Sequence, residues 1–407
     1  MTDSKPRAPW IFTGTVIAIL FGHYIVDTYS SIVAPLIGIV ENEFGMKAAT
    51  AAILLGLGSV VSGISQPIFA WVSDRTRSRV YGPLGVLFAA LGISLIGYAG
   101  ETFFLFVIYC VGMMGVGMFH PIATARIGAI AGEQRGFALS LFFVFGMGGF
   151  FTGSLVGPYL ATQSGALTNL VWLLVPGLLM AASLQLLINR TQAKAKQLES
   201  SPDYLFSEYD WKSITLLYFS AVFRFIVNLA FIYLVVRWVE QHVAAAEQPE
   251  LAAREVSKLA SPIAGYFQAA TYVGQGIGGL LAGALIKIGK EKLPLILTPI
   301  LFAPPVFLMG FIEPGLLGYV ACCLGGVAFA SMTPITISVG QQLMPGHTRL
   351  ASGLMLGGAW VIAAAGPRFA EFLNFRFGLT TAFVVMGVLS VYAGVVNLGL
   401  RTPRRND

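Results

Sequence analysis

The sequence predicts an all-α membrane protein, with twelve transmembrane helices in two six-helix halves. Three observations predict it. Hydrophobic residues make up 56% of the chain and charged residues 11%, where a soluble domain carries about 25% charged residues. Apolar runs of about 20 residues, enough to cross the hydrocarbon core of a bilayer, occur twelve times. Polar landmarks of the first six runs return, in the same order, in the last six, as expected of a transporter built from two related halves.

The runs lie near residues 10–40, 48–72, 80–99, 103–126, 136–161 and 169–189, and then near 212–239, 260–286, 293–312, 316–343, 350–373 and 379–400. Residues 1–189 therefore read as an N-terminal half and 212–407 as a C-terminal half. Between them, 190–211 is rich in Gln, Lys, Glu and Ser and contains Pro202, the composition of a cytoplasmic linker. The polar stretch 240–261 reads as a solvated helical cap on the outer side. Seventeen Lys and Arg fall on the linker side of the runs and four on the other. By the positive-inside rule both termini are cytoplasmic, which places the chain in a plasma membrane, the bacterial inner membrane being expected.

Composition also excludes several classes. The net charge of +6 is spread over the loops of one side, so no basic stripe suggests nucleic acid. Cys110, Cys322 and Cys323 sit inside apolar runs without metal or disulfide spacing. The first run is too long for a signal-peptide core and lacks a cleavage site, so it is expected to stay. No loop resembles a nucleotide-binding motif, no nucleophile pairs with a base and no residues show metal-ligand spacing. The chain is expected not to be an enzyme and to need no cofactor and no metal. Its energy source would be a proton gradient, its partners a small-molecule substrate and membrane lipid, and its working form a monomer.

The candidate site starts in the first run. His23 and Asp27 are four apart and share one helix face. A charged side chain at the bilayer centre costs about 2.5–3.5 kcal/mol on insertion scales, so such residues tend to face a cavity and to have a task. His23-Tyr24-Ile25-Val26-Asp27 returns 201 residues later as Arg224-Phe225-Ile226-Val227-Asn228. His120-Pro121 returns as Thr333-Pro334, and Gly157-Pro158 as Gly366-Pro367. Asn228 cannot ionise, which leaves Asp27 as the clearest mid-membrane acid. Histidine titrates near neutral pH, so His23 and His120 are candidate helpers in proton transfer. The structural alternative for His120 is to satisfy a backbone carbonyl near Pro121. Arg224 stays charged and needs an acid, carbonyls or an anionic ligand; Asp27 is its candidate resting partner across the halves. Arg126 is a second candidate anion contact, and Thr28, Tyr29, Ser30, Asn228 and Thr333 are candidate hydrogen-bonding groups. Arg368 and Glu371, three apart, are expected to pair with each other.

Two motifs add a family. Ala70-Trp71-Val72-Ser73-Asp74-Arg75-Thr76-Arg77-Ser78-Arg79 joins runs two and three on the inner side. It resembles the Gly-x-x-x-Asp-Arg-x-x-Arg loop of the major facilitator superfamily, with Ala70 at the glycine and Asp74, Arg75 and Arg79 matching. The resemblance implies a conformational latch between helix ends. In the second half Gly283 and Lys287 take the Gly and Asp places, so that copy has lost its acid. Gly153-Ser154-Leu155-Val156-Gly157-Pro158 resembles the helix-five glycine-proline motif of the superfamily's antiporters, although Tyr159-Leu160-Ala161-Thr162 replaces its trailing glycines. Phe119-His120-Pro121 followed by Arg126, with Gly22-His23-Tyr24, Asp27, Tyr29-Ser30 and Gln66-Pro67, resembles the fosmidomycin-resistance branch. That branch implies a cavity lined by helices one, four, seven and ten, and proton-driven efflux, by alternating access, of small and often anionic compounds, a drug-resistance activity. Two alternatives remain at this level: a proton-coupled uptake symporter for an organic anion, and an intramembrane enzyme or metal-binding receptor built on His23, Asp27 and His120.

Overall fold

The structure is a computed structural model that describes residues 13–76, 79–131, 135–163, 166–190, 209–246, 252–285, 290–344 and 347–401. Among the described residues there is no strand, and each of the twelve apolar runs is helical. The first half comprises α1 (Gly14–Ile32), α2 (Ala48–Thr76), α3 (Tyr81–Ser94), α4 (Thr102–Ala131), α5 (Arg135–Gln163) and α6 (Leu174–Arg190). The second comprises α7 (Trp211–Ala246), α8 (Ala253–Leu285), α9 (Lys292–Met309), α10 (Leu316–Leu343), α11 (Leu350–Phe377) and α12 (Leu379–Val395). By length and hydropathy, ten of these regions can cross a bilayer unaided. The other two, α3 and α8, complete the twelve. The 14 residues of α3 are few for a span, and α8 carries buried Gln268, Thr271 and Gln275.

The breaks have local causes. The first run divides where Pro35 interrupts it, and the chain resumes as a short helix, Ile37–Glu43, because the residue before a proline avoids the helical region. In α10 the helix stops at Ala330 and restarts at Met332, where Pro334 has no N–H for the Ala330 carbonyl. In α11 a wider π turn, Leu354–Gly358, precedes the piece that starts at Gly366-Pro367. Thr13 caps α1 through its hydroxyl, which accepts from the Val16 N–H at 3.4 Å.

The repeat visible in the sequence is also visible in the packing. In the first half α1 lies on α5, α2 on α4 and α3 on α6; in the second α7 lies on α11, α8 on α10 and α9 on α12. Two long seams join the halves, α5 against α8 and α2 against α11, and they exchange under the same correspondence; the short helix Ile37–Glu43 also meets α8. Large apolar side chains such as Phe103, Trp172, Leu316 and Phe375 are exposed on the outside of the bundle, where hydrocarbon rather than water would meet them. The linker 190–211 falls almost wholly outside the described residues; α6 ends at Arg190 and α7 begins at Trp211.

Candidate functional site

Three side chains converge near the middle of the first half. His23 and Asp27 project from one face of α1 and are 4% and 2% exposed. His120 reaches them from α4. His23 Nε2 lies 3.0 Å from Asp27 Oδ2, and His120 Nε2 lies 3.2 Å from Asp27 Oδ1. The two Nε2 atoms are 3.1 Å apart.

The far side of each ring decides what the near side can do. His23 Nδ1 lies 2.7 Å from the Phe142 carbonyl oxygen on α5, and His120 Nδ1 lies 2.7 Å from that of Val116 on α4. A carbonyl only accepts, so each Nδ1 carries a hydrogen, a tautomer assigned from its partner. Two neutral rings of that kind would turn two Nε2 lone pairs towards each other and towards a carboxylate. Three acceptors at 3.0–3.2 Å repel unless a cation sits among them. One added proton turns a ring into a donor to the remaining groups. The same donors, all within 4.8 Å of one another, also have the chemistry of a divalent-cation site. Spacing in the sequence showed no such set, because His120 lies on another helix.

His120 is the wetter member, its side chain 24% exposed against 5% for His23 and 3% for Asp27. His120 does meet a backbone carbonyl, as its structural alternative supposes, and meets Asp27 as well. The carbonyl belongs to Val116 rather than to Gly117, the one that Pro121 deprives of a donor.

The second half places Arg224 differently from expectation. Asp27 is not its partner: that carboxylate lies against the two histidines of its own half. Arg224 is 1% exposed and among described residues makes one hydrogen bond, Nη2 donating to Thr336 Oγ1 at 3.5 Å. Its guanidinium lies 4.9 Å and 5.6 Å from the ring centres of Phe225 and Phe329. Nε and Nη1 have no hydrogen-bond partner among the described residues. The hydroxyl on Arg224 is thus that of Thr336, one turn beyond Thr333, which is half-buried elsewhere on the helix. Asn228 Oδ1 accepts from Gln275 Nε2 at 3.0 Å. Gln275 was missed; a glutamine inside an apolar run was its only signal.

The remaining candidates separate. Tyr29 donates to the Leu173 carbonyl at 2.5 Å and Thr28 to the Tyr24 carbonyl at 2.8 Å, so both hydroxyls serve backbone. Ser30 is half-buried. Arg126 lies nearer the C-terminal end of α4 than His120 and has Arg79 as a charged neighbour.

A second cluster was not anticipated. Arg237, near the C-terminal end of α7, donates from Nη1 to Glu240 at 2.7 Å, from Nη2 to Glu41 and from Nε to the Tyr233 hydroxyl at 2.9 Å. Tyr233 in turn donates to Glu371 at 2.6 Å, and Glu371 lies 4.0 Å from Arg237. Glu371 therefore belongs to this cluster and not to Arg368. Glu240 also accepts from Ser257 at 3.0 Å and Arg254 pairs with Glu43 at 2.9 Å. The stretch 240–261 is thus partly a buttress between the halves, because Glu41 and Glu43 belong to the first half and Arg237, Glu240 and Arg254 to the second. Arg237 before Glu240 at helical spacing was the available signal.

The sequence model of the Major Facilitator Superfamily matches residues 19–244. The chain belongs to this superfamily. Among its relatives is an uncharacterized MFS-type transporter, YfnC, of Bacillus subtilis strain 168, 24% identical over 91% of this chain and 88% of that one. The fosmidomycin resistance protein of Escherichia coli K12 is 27% identical over 171 residues, 41% of each chain. Solved structures with the same fold include a bacterial homolog of the human lysosomal transporter Spinster, inward-facing and unoccupied, with a TM-score of 0.73, 16% identity and 97% of both chains covered. A D-xylose-proton symporter superposes with a TM-score of 0.73 at 14% identity, over 97% of this chain and 98% of that one. The chain is therefore an integral membrane transporter of the superfamily and not an enzyme.

The superfamily motifs can be placed on this fold. At the end of α2, the Arg75 guanidinium stacks 4.1 Å from the Trp71 ring centre, and Arg79 in the loop that follows is exposed. The Asp74 side chain and residues 77–78 lie outside the described residues. On α5, Gly153 meets the backbone of Thr28, Gly157 meets Ile32, and Pro158 faces Gly265 of α8. The helix-five motif thus lies between α1 and the second half.

Proposed function

We propose that this transporter exports small anionic compounds in exchange for protons, by alternating access, as a monomer in a bacterial inner membrane with both termini cytoplasmic. The observation that carries the reading is the convergence of His23, His120 and Asp27, whose fixed tautomers leave a place for a proton deep in the bundle. Asp27 is the coupling acid and the histidines share its proton. Arg224, buried without a carboxylate, supplies the attraction for a negative group, and the relative that confers fosmidomycin resistance supports efflux. An anion at Arg224 and a proton at the triad are coupled if each favours a different face of the carrier. The proton gradient is the energy source, and no cofactor is required.

The test uses the purified protein and Asp27→Asn in liposomes with an imposed pH gradient, following substrate and internal pH together. Uphill transport is expected to vanish in the variant, while downhill exchange survives. Uphill transport by the Asn variant would remove Asp27 from the role. Substrate moving in the same direction as protons would identify a symporter instead.

A further inference from the structure

Helix α5 is a wall shared by the triad and the other half. Its residues 142, 146, 149 and 153, spaced four, three and four, share one face. That face lies on α1. Phe142 gives His23 its carbonyl acceptor at 2.7 Å and stacks its own ring on the imidazole, with centres 3.6 Å apart and planes 8° apart. A Cβ on Gly146 would overlap the His23 ring and lie 2.6 Å from Asp27 Oδ2. Only glycine lets α5 come this near the two groups.

The next residue along in each case faces the second half. Phe143 meets Gly279, the Met147 side chain lies 3.6 Å from where a Gly276 Cβ would be, and the Ser154 carbonyl meets Gly265. The rings of Phe150 and Tyr272 have centres 4.9 Å apart. A shift of α5 against α8 therefore shifts the atoms that hold His23.

We propose that Phe142 and Gly146 are positioning residues that set the geometry of the His23–Asp27–His120 cluster from the position of α5 against the second half. This rests on the proton-coupled reading above. The carbonyl fixes the tautomer, the ring fixes the plane, and the missing side chain at 146 fixes the distance. Outer groups of this kind orient and tune the groups they contact.

The experiment compares wild type, Gly146→Ala, Phe142→Leu and Gly148→Ala in liposomes. A Cβ on Gly148 would meet only Tyr24, at 3.4 Å, which is ordinary contact. Gel filtration and thermal unfolding establish folding; substrate binding and the pH profile of transport are then measured. Gly146→Ala and Phe142→Leu are expected to move the pH midpoint by about half a unit or more, since hydrogen bonding and neighbouring charge set proton affinity. Their substrate affinity should stay near wild type, and Gly148→Ala should match wild type in both. Phe142→Leu keeps the carbonyl and removes only the ring, so it serves if Gly146→Ala does not fold. Folded variants with the wild-type pH profile would overturn the positioning role while leaving the proton reading intact. A wild-type protein without pH dependence would overturn the proton reading and the positioning role with it.

Discussion

Two arginines of one helix, α7, the buried Arg224 and the half-buried Arg237, keep opposite company. Arg237 is surrounded by acids: Glu41 from the first half, Glu240 from its own helix and Glu371 from α11. Arg224 has two phenylalanine rings and one hydroxyl. The first charge is oversupplied with partners, and removing it would leave carboxylates facing one another. The second is undersupplied, so removing it would relieve the protein of an unpaired cation. Burial alone does not tell a structural arginine from a binding one; the balance of charge around it does.

The largest effect should follow from Arg237→Leu. Breaking a buried ion pair from one side typically costs about 3–5 kcal/mol, and here several carboxylates lose one partner. Chemical unfolding in detergent should show the loss, and a cysteine placed at Ser261, which now donates to the Pro35 carbonyl, should react faster with a reagent added outside. Unchanged stability and labelling would mean that the cluster does not hold the outer face closed. Arg224→Leu should act in the other sense. Affinity for anionic substrates should fall by an amount worth about 2–5 kcal/mol, neutral ones should be little affected, and the melting temperature should hold or rise. A lower melting temperature with intact anion binding would make Arg224 structural after all.

Asp74→Asn comes next. Its expected effect is on switching, so transport should slow several-fold while equilibrium binding stays; equal losses in both would count against a latch. The smallest effect concerns pH at the outer cluster. Burial pushes the Glu41 carboxyl above the ordinary range, Arg237 pulls it down, and Glu240 and Glu371 push it up again. A carboxyl that holds its proton more firmly in the closed state favours that state when protonated. The outer face should therefore close more tightly as external pH falls through that raised value, and lose the contribution as pH rises above it. The same cysteine at 261 should label more slowly below that raised value than above it, and Glu41→Gln should abolish the difference.

Several features were legible before the fold. The twelve spans followed from run length, and the two halves from His23-Tyr24-Ile25-Val26-Asp27 and its echo at Arg224. His23 and Asp27 could be put on one face because helical spacing is local. His120 could be named, because a histidine before a proline in an apolar run is conspicuous, but not joined to Asp27. The misassigned partners share one cause. Arg368 and Glu371 satisfy helical spacing, yet Glu371 turns to Tyr233 on a neighbouring helix. Arg224 and Asp27 are opposite charges on the matching first helices of the two halves, yet each meets partners from its own half. The proline landmark points to Thr333, and one turn of helix separates it from Thr336, whose hydroxyl meets Arg224.

The sequence by itself determined that the chain lies in a membrane, how many times it crosses, and which of its residues are too polar to be there without reason. Those are consequences of transfer energies and of helical period, and both act along the chain. The tertiary structure alone decided who meets whom: two histidines sharing one carboxylate, a glycine that lets α5 close on them, three acids around Arg237 and none at Arg224. Such pairings depend on the angle and depth at which helices cross, and in a bilayer these are set by close packing of small residues, summed over contacts between segments far apart in the chain.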